Sequence, residues 1–305
     1  MPTDISEFRY LPAQARSASV AVPAATRVTA DLGDGRVLSA LRFGDAEPEI
    51  VLLHGAGLNA HTWDTTVLHL QVPALAIDLP GHGDSSWRTD LDYSPRTLAA
   101  DIAAVLPRWA TTPAVIVGQS LGGLTSAALA SAHPELVRDV IIVDITPGID
   151  ASGGPAELRE FFRVADFASR DELVDRAMAF GLGGSREDTE RGVFFNSRIR
   201  DDGRVVWKHH FAHLAAQVFA APDEEARPAS GAVLNPTGWD DLSGVDAPLT
   251  LVRAERGYVT AQDADDFRSR LPRAEIIEID ATHNVQETAP ARLAALIRTH
   301  TSVGM

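Results

Sequence analysis

The residues best suited to chemistry lie in Gly118-Gln119-Ser120-Leu121-Gly122, a G-x-S-x-G pattern. An unbroken apolar run, Ala114-Val115-Ile116-Val117, precedes it, and small and apolar residues fill positions 121–130. Strand, sharp turn and helix in that order make the context of a nucleophile elbow. There the glycines free the turn from Cβ atoms, and the serine is lifted to the carboxyl end of a sheet. An alcohol is a poor nucleophile at neutral pH, so Ser120 needs a base in hydrogen-bond reach and an acid to orient that base. His283 is the candidate base, because it follows the last strand pattern (275–279) and precedes the closing helix pattern (290–300). A tetrahedral oxyanion also needs two preorganised donors. The backbone N–H groups of Leu121 and of Ala56, in the Gly55-Ala56-Gly57 loop, are placed to supply them.

The elements that must position these groups are legible from hydrophobic pattern. Two β-like runs between positions 28 and 43 flank Gly33-Asp34-Gly35, a hairpin signal. Short buried strands are expected at 49–53, 73–78, 114–117, 140–143 and 248–252. Ser94-Pro95 opens a helix whose apolar residues Leu98, Ile102, Val105, Leu106 and Trp109 share one face. Strands apolar throughout and separated by helices imply a mostly parallel sheet covered on both faces, an α/β class. Residues 1–25 lack periodicity and carry Pro2, Pro12 and Pro23, which reads as an extended N-terminal arm. Between 148 and 240 the strand–helix alternation stops, and the segment reads as several short helices. Eight of the eleven phenylalanines fall there, which suggests an inserted helical cap between core segments 26–147 and 241–305. Phe161, Phe162, Phe194 and Phe195 come as adjacent pairs and are expected to line an apolar pocket, with Trp63 near the 55–57 loop as a further substrate contact.

Composition narrows the partners. A formal net charge of -15 argues against nucleic acid or an anionic membrane surface. With no cysteine, thiol catalysis and disulfides are excluded. The first residues have no apolar h-region, and no stretch has the roughly 20 apolar residues of a membrane span. A cytoplasmic protein acting on a small molecule is the expectation, its oligomeric state open. His209 and His213 are spaced i and i+4, but no carboxylate stands at metalloprotease spacing, so they read as cap histidines and no metal or cofactor is expected.

With His54-Gly55-Ala56-Gly57, the DLPGHGDS run at 78–85, GQSLGG at 118–123 and the position of His283, the sequence from about 28 to 300 resembles the α/β-hydrolase superfamily. The resemblance implies the α/β-hydrolase fold, a Ser-His-acid mechanism and a cap after Asp144. It also implies that His54 and the 78–83 turn shape the oxyanion loop without reacting. It implies hydrolysis of a carboxylic ester or lactone. Carbon–carbon bond hydrolysis with the same residues, or non-catalytic ligand binding, stand as alternatives. In one respect the chain departs from the superfamily pattern. The usual acid position, after the strand at 248–252, is occupied by Gly257. A minority of the superfamily places the acid one strand earlier, where Asp144 stands here; Glu255 and Asp263 are the alternatives.

Overall fold

The computed structural model describes residues 6–148, 161, 164–180, 184–214 and 238–301. In chain order its strands are β1 (Ala25–Asp31), β2 (Val37–Phe43), β3 (Ile50–Leu53), β4 (Ala74–Asp78), β5 (Ala114–Gln119) and β6 (Val137–Val143). There follow β7 (Asp166–Phe167), β8 (Ser197–Ile199), β9 (Val205–Trp207), β10 (Leu249–Arg256) and β11 (Glu275–Thr282). Eight of these form one sheet in the order β1-β2-β4-β3-β5-β6-β10-β11. The β1–β2 and β2–β4 pairs are antiparallel and the remaining neighbours parallel. The β1–β2 hairpin turns through Gly33 and Gly35, both at positive φ (86° and 84°), where a side chain would be strained.

Alternation along the central strands divides the core into two layers. Val51, Leu53, Leu75, Ile77 and Ile116 face one layer, with Leu98, Ile102, Leu124 and Leu129 from the helices Pro95–Ala103 and Leu121–Ala132. Leu52, Ala74, Ala76, Val115 and Val117 face the other, with Val67, Leu68, Leu293 and Ile297 from the helices Asp64–Leu70 and Pro290–Thr299. Both faces of β3, β4 and β5 are therefore dry, which is why these strands read as continuous apolar runs. All parallel strands end on the side that carries residues 54–57, 120, 144 and 283, so the chemistry gathers at one end of the sheet.

Two expectations about the flanking parts are corrected. The N-terminal arm is not extended. Glu7–Tyr10 forms a 3-10 turn and Leu11–Ala18 a helix. Pro12 falls in the first helical turn, where its missing N–H costs nothing, and Leu11 and Ala15, one turn apart, are buried in the core. The segment after Asp144 is also more than short helices. With Arg170–Ala179 and Arg186–Asn196 it holds a three-stranded antiparallel sheet in the order β7-β9-β8. The Asp201-Asp202-Gly203 turn joins β8 to the β-branched and aromatic β9, and the sheet packs into a separate small core with Phe161, Phe167 and Trp207. Of the cap expected at 148–240, positions 149–160 and 215–237 lie outside the described residues.

Candidate active site

Ser120 sits between β5 and the helix Leu121–Ala132 with φ 53°, a conformation non-glycine residues seldom adopt. Its N–H donates to the Val143 carbonyl at 3.0 Å, and its own carbonyl accepts from Gly123 and Leu124, so the backbone is held on both sides. The pattern glycines are forced by close packing. A Cβ at Gly118 would meet the Gly122 carbonyl, and one at Gly122 the Leu53 carbonyl, each well under 3.0 Å. A Cβ at Gly55 would likewise run into the Gln119 amide and approach the Ser120 Cβ at 3.2 Å, which places the 55–57 loop directly against the serine. Neither the Leu121 nor the Ala56 N–H has an acceptor among the described residues.

The 55–57 loop is braced from behind by His54. This buried ring donates from Nδ1 to the Gly55 carbonyl at 2.8 Å and accepts at Nε2 from the Leu79 N–H at 3.0 Å. Burial holds it neutral, its pKa pushed down to about 4, so it serves as a fixed strut between the loop and the 78–83 turn. Asp78 in turn accepts from the Ala60 N–H at 2.8 Å and from Arg27 at 2.7 Å.

The acid question turns on Asp144, fully buried at the end of β6 with φ 51°. Its Oδ2 lies 2.8 Å from His283 Nδ1. Backbone N–H groups from the end of β10 and the loop after it hold the same carboxylate: Ala254 to Oδ1 at 3.0 Å, Tyr258 to Oδ2 at 2.7 Å, and Val259 to Oδ1 at 3.5 Å. A Cβ at Gly257 would overlap both carboxylate oxygens and Cγ. The absence of a side chain at the usual acid position and the presence of Asp144 are thus one fact, since the carboxylate fills that volume from the neighbouring strand. The other two acids are elsewhere. Glu255 is exposed, and Asp263 closes a capping box with Thr260 at the start of the helix Ala261–Arg270.

Two residues that sequence reasoning did not single out hold His283. Gln119, buried beside the serine, donates to the His283 carbonyl at 3.3 Å and to the Asn284 amide oxygen at 3.4 Å, joining the histidine loop to the elbow. The Tyr258 ring stacks on the imidazole with centroids 3.8 Å apart and planes 18° apart. The x of G-x-S-x-G gives no hint of the first. The second, in a loop whose register only the fold defines, left no signal at all.

The expected substrate contacts are corrected. Trp63 is fully buried among Val67, Leu68 and Val115 in the sheet core, where an aromatic ring earns more from packing than from the loop it follows. Phe161 is buried in the small core it shares with Phe167 and Trp207, and Phe162 lies outside the described residues. Phe194 and Phe195 face the N-terminal segment. Phe195 stacks on His61 at 3.8 Å, and both phenylalanines line a cavity to which neither Ser120 nor His283 contributes. Their adjacency on the last turn of the helix Arg186–Asn196 is served by that contact. The histidines near 210 are also spoken for: His210 Nδ1 is 2.8 Å from the Tyr93 hydroxyl, and the His209 Nδ1 accepts from the Ala212 N–H. Among the described residues no group of three or more His, Asp or Glu is placed to hold a metal ion, and no helix is long and apolar enough to cross a membrane.

A mostly parallel sheet with a serine on a strained elbow and, at the end of the next strand, a carboxylate paired to an imidazole defines a class, and comparison with known proteins agrees. The chain belongs to the alpha/beta hydrolase family, whose model matches residues 50–296. It is similar to Esterase Rv0045c of Mycobacterium tuberculosis, with 36% identity over 97% of this chain and 96% of that protein. The crystal structure of that esterase superposes with a TM-score of 0.78 over 98% of this chain and 99% of its own. Lipase LipV of the same organism is 31% identical over 84% of this chain and 95% of its own length. E-2-(acetamidomethylene)succinate hydrolase, at 22% identity and a TM-score of 0.74 over 90% of this chain and 98% of its own, shares the fold. The chain is an esterase-type member of the family, a carboxylic ester hydrolase.

Proposed function

We propose that the protein hydrolyses a carboxylic ester or lactone through an acyl-serine intermediate, with Ser120 as nucleophile, His283 as proton shuttle and Asp144 as the orienting acid. The observation that carries this reading is the 2.8 Å contact between Asp144 Oδ2 and His283 Nδ1, made by a carboxylate that backbone N–H groups hold in place. An aspartate accepting at Nδ1 fixes the tautomer that leaves Nε2 free to take the serine proton. Ser120 Oγ then attacks the ester carbonyl, and the proton passes to Nε2. The oxyanion develops toward the N–H groups of Leu121 and Ala56, neither of which has another acceptor among the described residues. Collapse expels the alcohol, protonated by His283. Water, deprotonated by the same ring, releases the acid and restores the serine.

Two features support low reorganisation during this cycle. The Tyr258 ring covers one face of the imidazole, and the Gln119 amide holds the backbone of the same residue. Both restrict the ring to the orientation the carboxylate sets. The test is trapping. Brief exposure to a p-nitrophenyl ester followed by acid quench should leave the acyl mass on the peptide containing Ser120, and Ser120→Ala should show neither adduct nor turnover. An adduct on another residue, or turnover above a few per cent in a folded Ser120→Ala protein, would end the assignment.

A further inference from the structure

The cavity lined by Phe194 and Phe195, of about 760 Å³, opens between the N-terminal segment, β1 and β8. It lies on the β1 side of the sheet. Neither Ser120 nor His283 lines it, although its wall includes His61, in the turn after β3, the strand next to β5. Its walls carry Arg27, Arg170, Arg198 and Lys208, with Phe8, Phe194 and Phe195 between them. Two of the cations are neutralised on site. Arg27 is paired with Glu7 and Asp78, and Lys208 with Asp84.

The others are not. Arg170 is held only through the Ser197 hydroxyl and carbonyl, at 3.1 and 3.3 Å. Its guanidinium lies 4.8 Å from the centre of the Phe194 ring, while that of Arg9 lies 4.1 Å from the same ring. Arg198, next along β8, rests 5.6 Å from the Trp87 ring. Among the described residues Arg9, Arg170 and Arg198 have no carboxylate partner, although 42 acidic residues outnumber 27 basic ones in the chain. Burial, and then the charge of Arg9, disfavour the charged form of Arg170, so the free protein bears a cost there that a bound anion would remove. A guanidinium fork is matched by an oxyanion of phosphate or carboxylate geometry. The two unpaired arginines that line the cavity call for two negative charges, which a phosphate monoester carries and a single carboxylate does not. The volume admits more than the phosphate itself, and the rings of Phe8, Phe194 and Phe195 offer an apolar wall for an organic body.

We propose that this cavity is a binding site for a small organic phosphate monoester, its phosphate held by Arg170 and Arg198 and its apolar part against Phe194 and Phe195. The proposal is independent of the hydrolytic residues. It is tested by calorimetric titration of the full-length protein with phenyl phosphate, beside benzoate and inorganic phosphate. Phenyl phosphate should bind more tightly than either and should weaken with added salt. Arg170→Gln and Arg198→Gln should each weaken it by about tenfold or more, and Ser120→Ala should bind as the wild type does. Because Arg170 also braces the cap, Ile199→Glu provides a second variant at an exposed rim position, where an added negative charge should weaken binding without loss of fold. No binding of phenyl phosphate, benzoate or inorganic phosphate binding as tightly, or binding unchanged in the arginine variants or in Ile199→Glu would each overturn the proposal.

Discussion

Gly257→Ala adds one methyl group at a position that touches neither the serine nor the imidazole. Its Cβ would fall under 3.0 Å from both Asp144 oxygens and Cγ, and Gly257 is not at positive φ, so the overlap is the only obstacle to alanine. To relieve it the carboxylate must move by about 1 Å, away from bonds to Ala254, Tyr258 and His283 of 2.7–3.0 Å. A displacement of that size in a catalytic array costs about 10²-fold in rate, and complete loss of the orienting acid about 10⁴-fold. Gly257→Ala is therefore expected to lower kcat by between about 10² and 10⁴ while leaving KM nearly unchanged, since no substrate contact is altered. Stability should fall as well, by about 1.5–3 kcal/mol for each charge-assisted bond lost. Gly192→Ala is the control: it lies inside the helix Arg186–Asn196 with nothing within 4 Å of its would-be Cβ. It should gain about 0.5–1 kcal/mol and keep full activity. Initial rates on a p-nitrophenyl ester, with thermal melts in parallel, read both variants. A Gly257→Ala protein retaining kcat within threefold would show that the position of the Asp144 carboxylate does not matter to turnover, and the orienting role would fall with it.

Further expectations concern the same site and its support. Asp144→Asn should remain folded yet lose about four orders of magnitude in kcat, whereas Glu255→Gln, at an exposed position, should stay within a few-fold; the opposite ranking would move the acid to Glu255. Tyr258→Ala should lower kcat by about two- to tenfold through loss of the stacked ring, and Tyr258→Phe should restore it, because the contact uses the ring face. Burial alone would lower the His61 pKa, but Asp64 at 3.0 Å and Glu7 raise it to about 9, above its ordinary 6.5. That contribution to stability is complete below pH 6.5 and is lost as pH rises through about 9, so the wild-type melting temperature should decline over this window and that of His61→Gln should decline less. For Glu7, burial acts upward, but hydrogen bonds from His61 and Arg27 bring its pKa down to about 2 from 4.5. Its contribution is present above pH 4.5 and lost only as pH falls through about 2.

What could be read in advance follows from how local each constraint is. Ser120 and His283 are tied to backbone geometry a few residues long: β5, which delivers the serine, is buried on both faces, and His283 directly follows the edge strand β11, so pattern and position along the chain mark them. Asp144 is different in kind. The residues that hold its carboxylate are at 254, 258 and 259, more than 100 positions away, and only the pairing of β6 with β10 brings them together. The vacancy at Gly257 pointed to the acid's absence from its usual strand, and the fold supplies the reason. Trp63 and the paired phenylalanines show the opposite difficulty. Aromatic residues near a loop or in an insertion serve packing and binding equally well by composition, and which they do depends on what else reaches them: a sheet face for Trp63, the N-terminal helical segment for Phe194 and Phe195. That segment was itself hard to see, since two turns of helix are too short for a period to emerge.

The long separation between Asp144 and its donors also bears on how the molecule assembles. Asp144 has no accessible surface in the finished fold, and its backbone N–H donates to the Val252 carbonyl on β10. Until the chain beyond the cap returns to the sheet, β6 is an edge strand and the carboxylate remains in water. Docking β10 closes a loop of about 110 residues and buries the carboxylate in the same event, so an entropic cost and a desolvation cost fall together. A chain emerging from the ribosome can therefore complete β1 to β6 and the serine turn while Asp144 is still unpaired, and on the proposed assignment hydrolytic competence arrives only with the last quarter of the sequence.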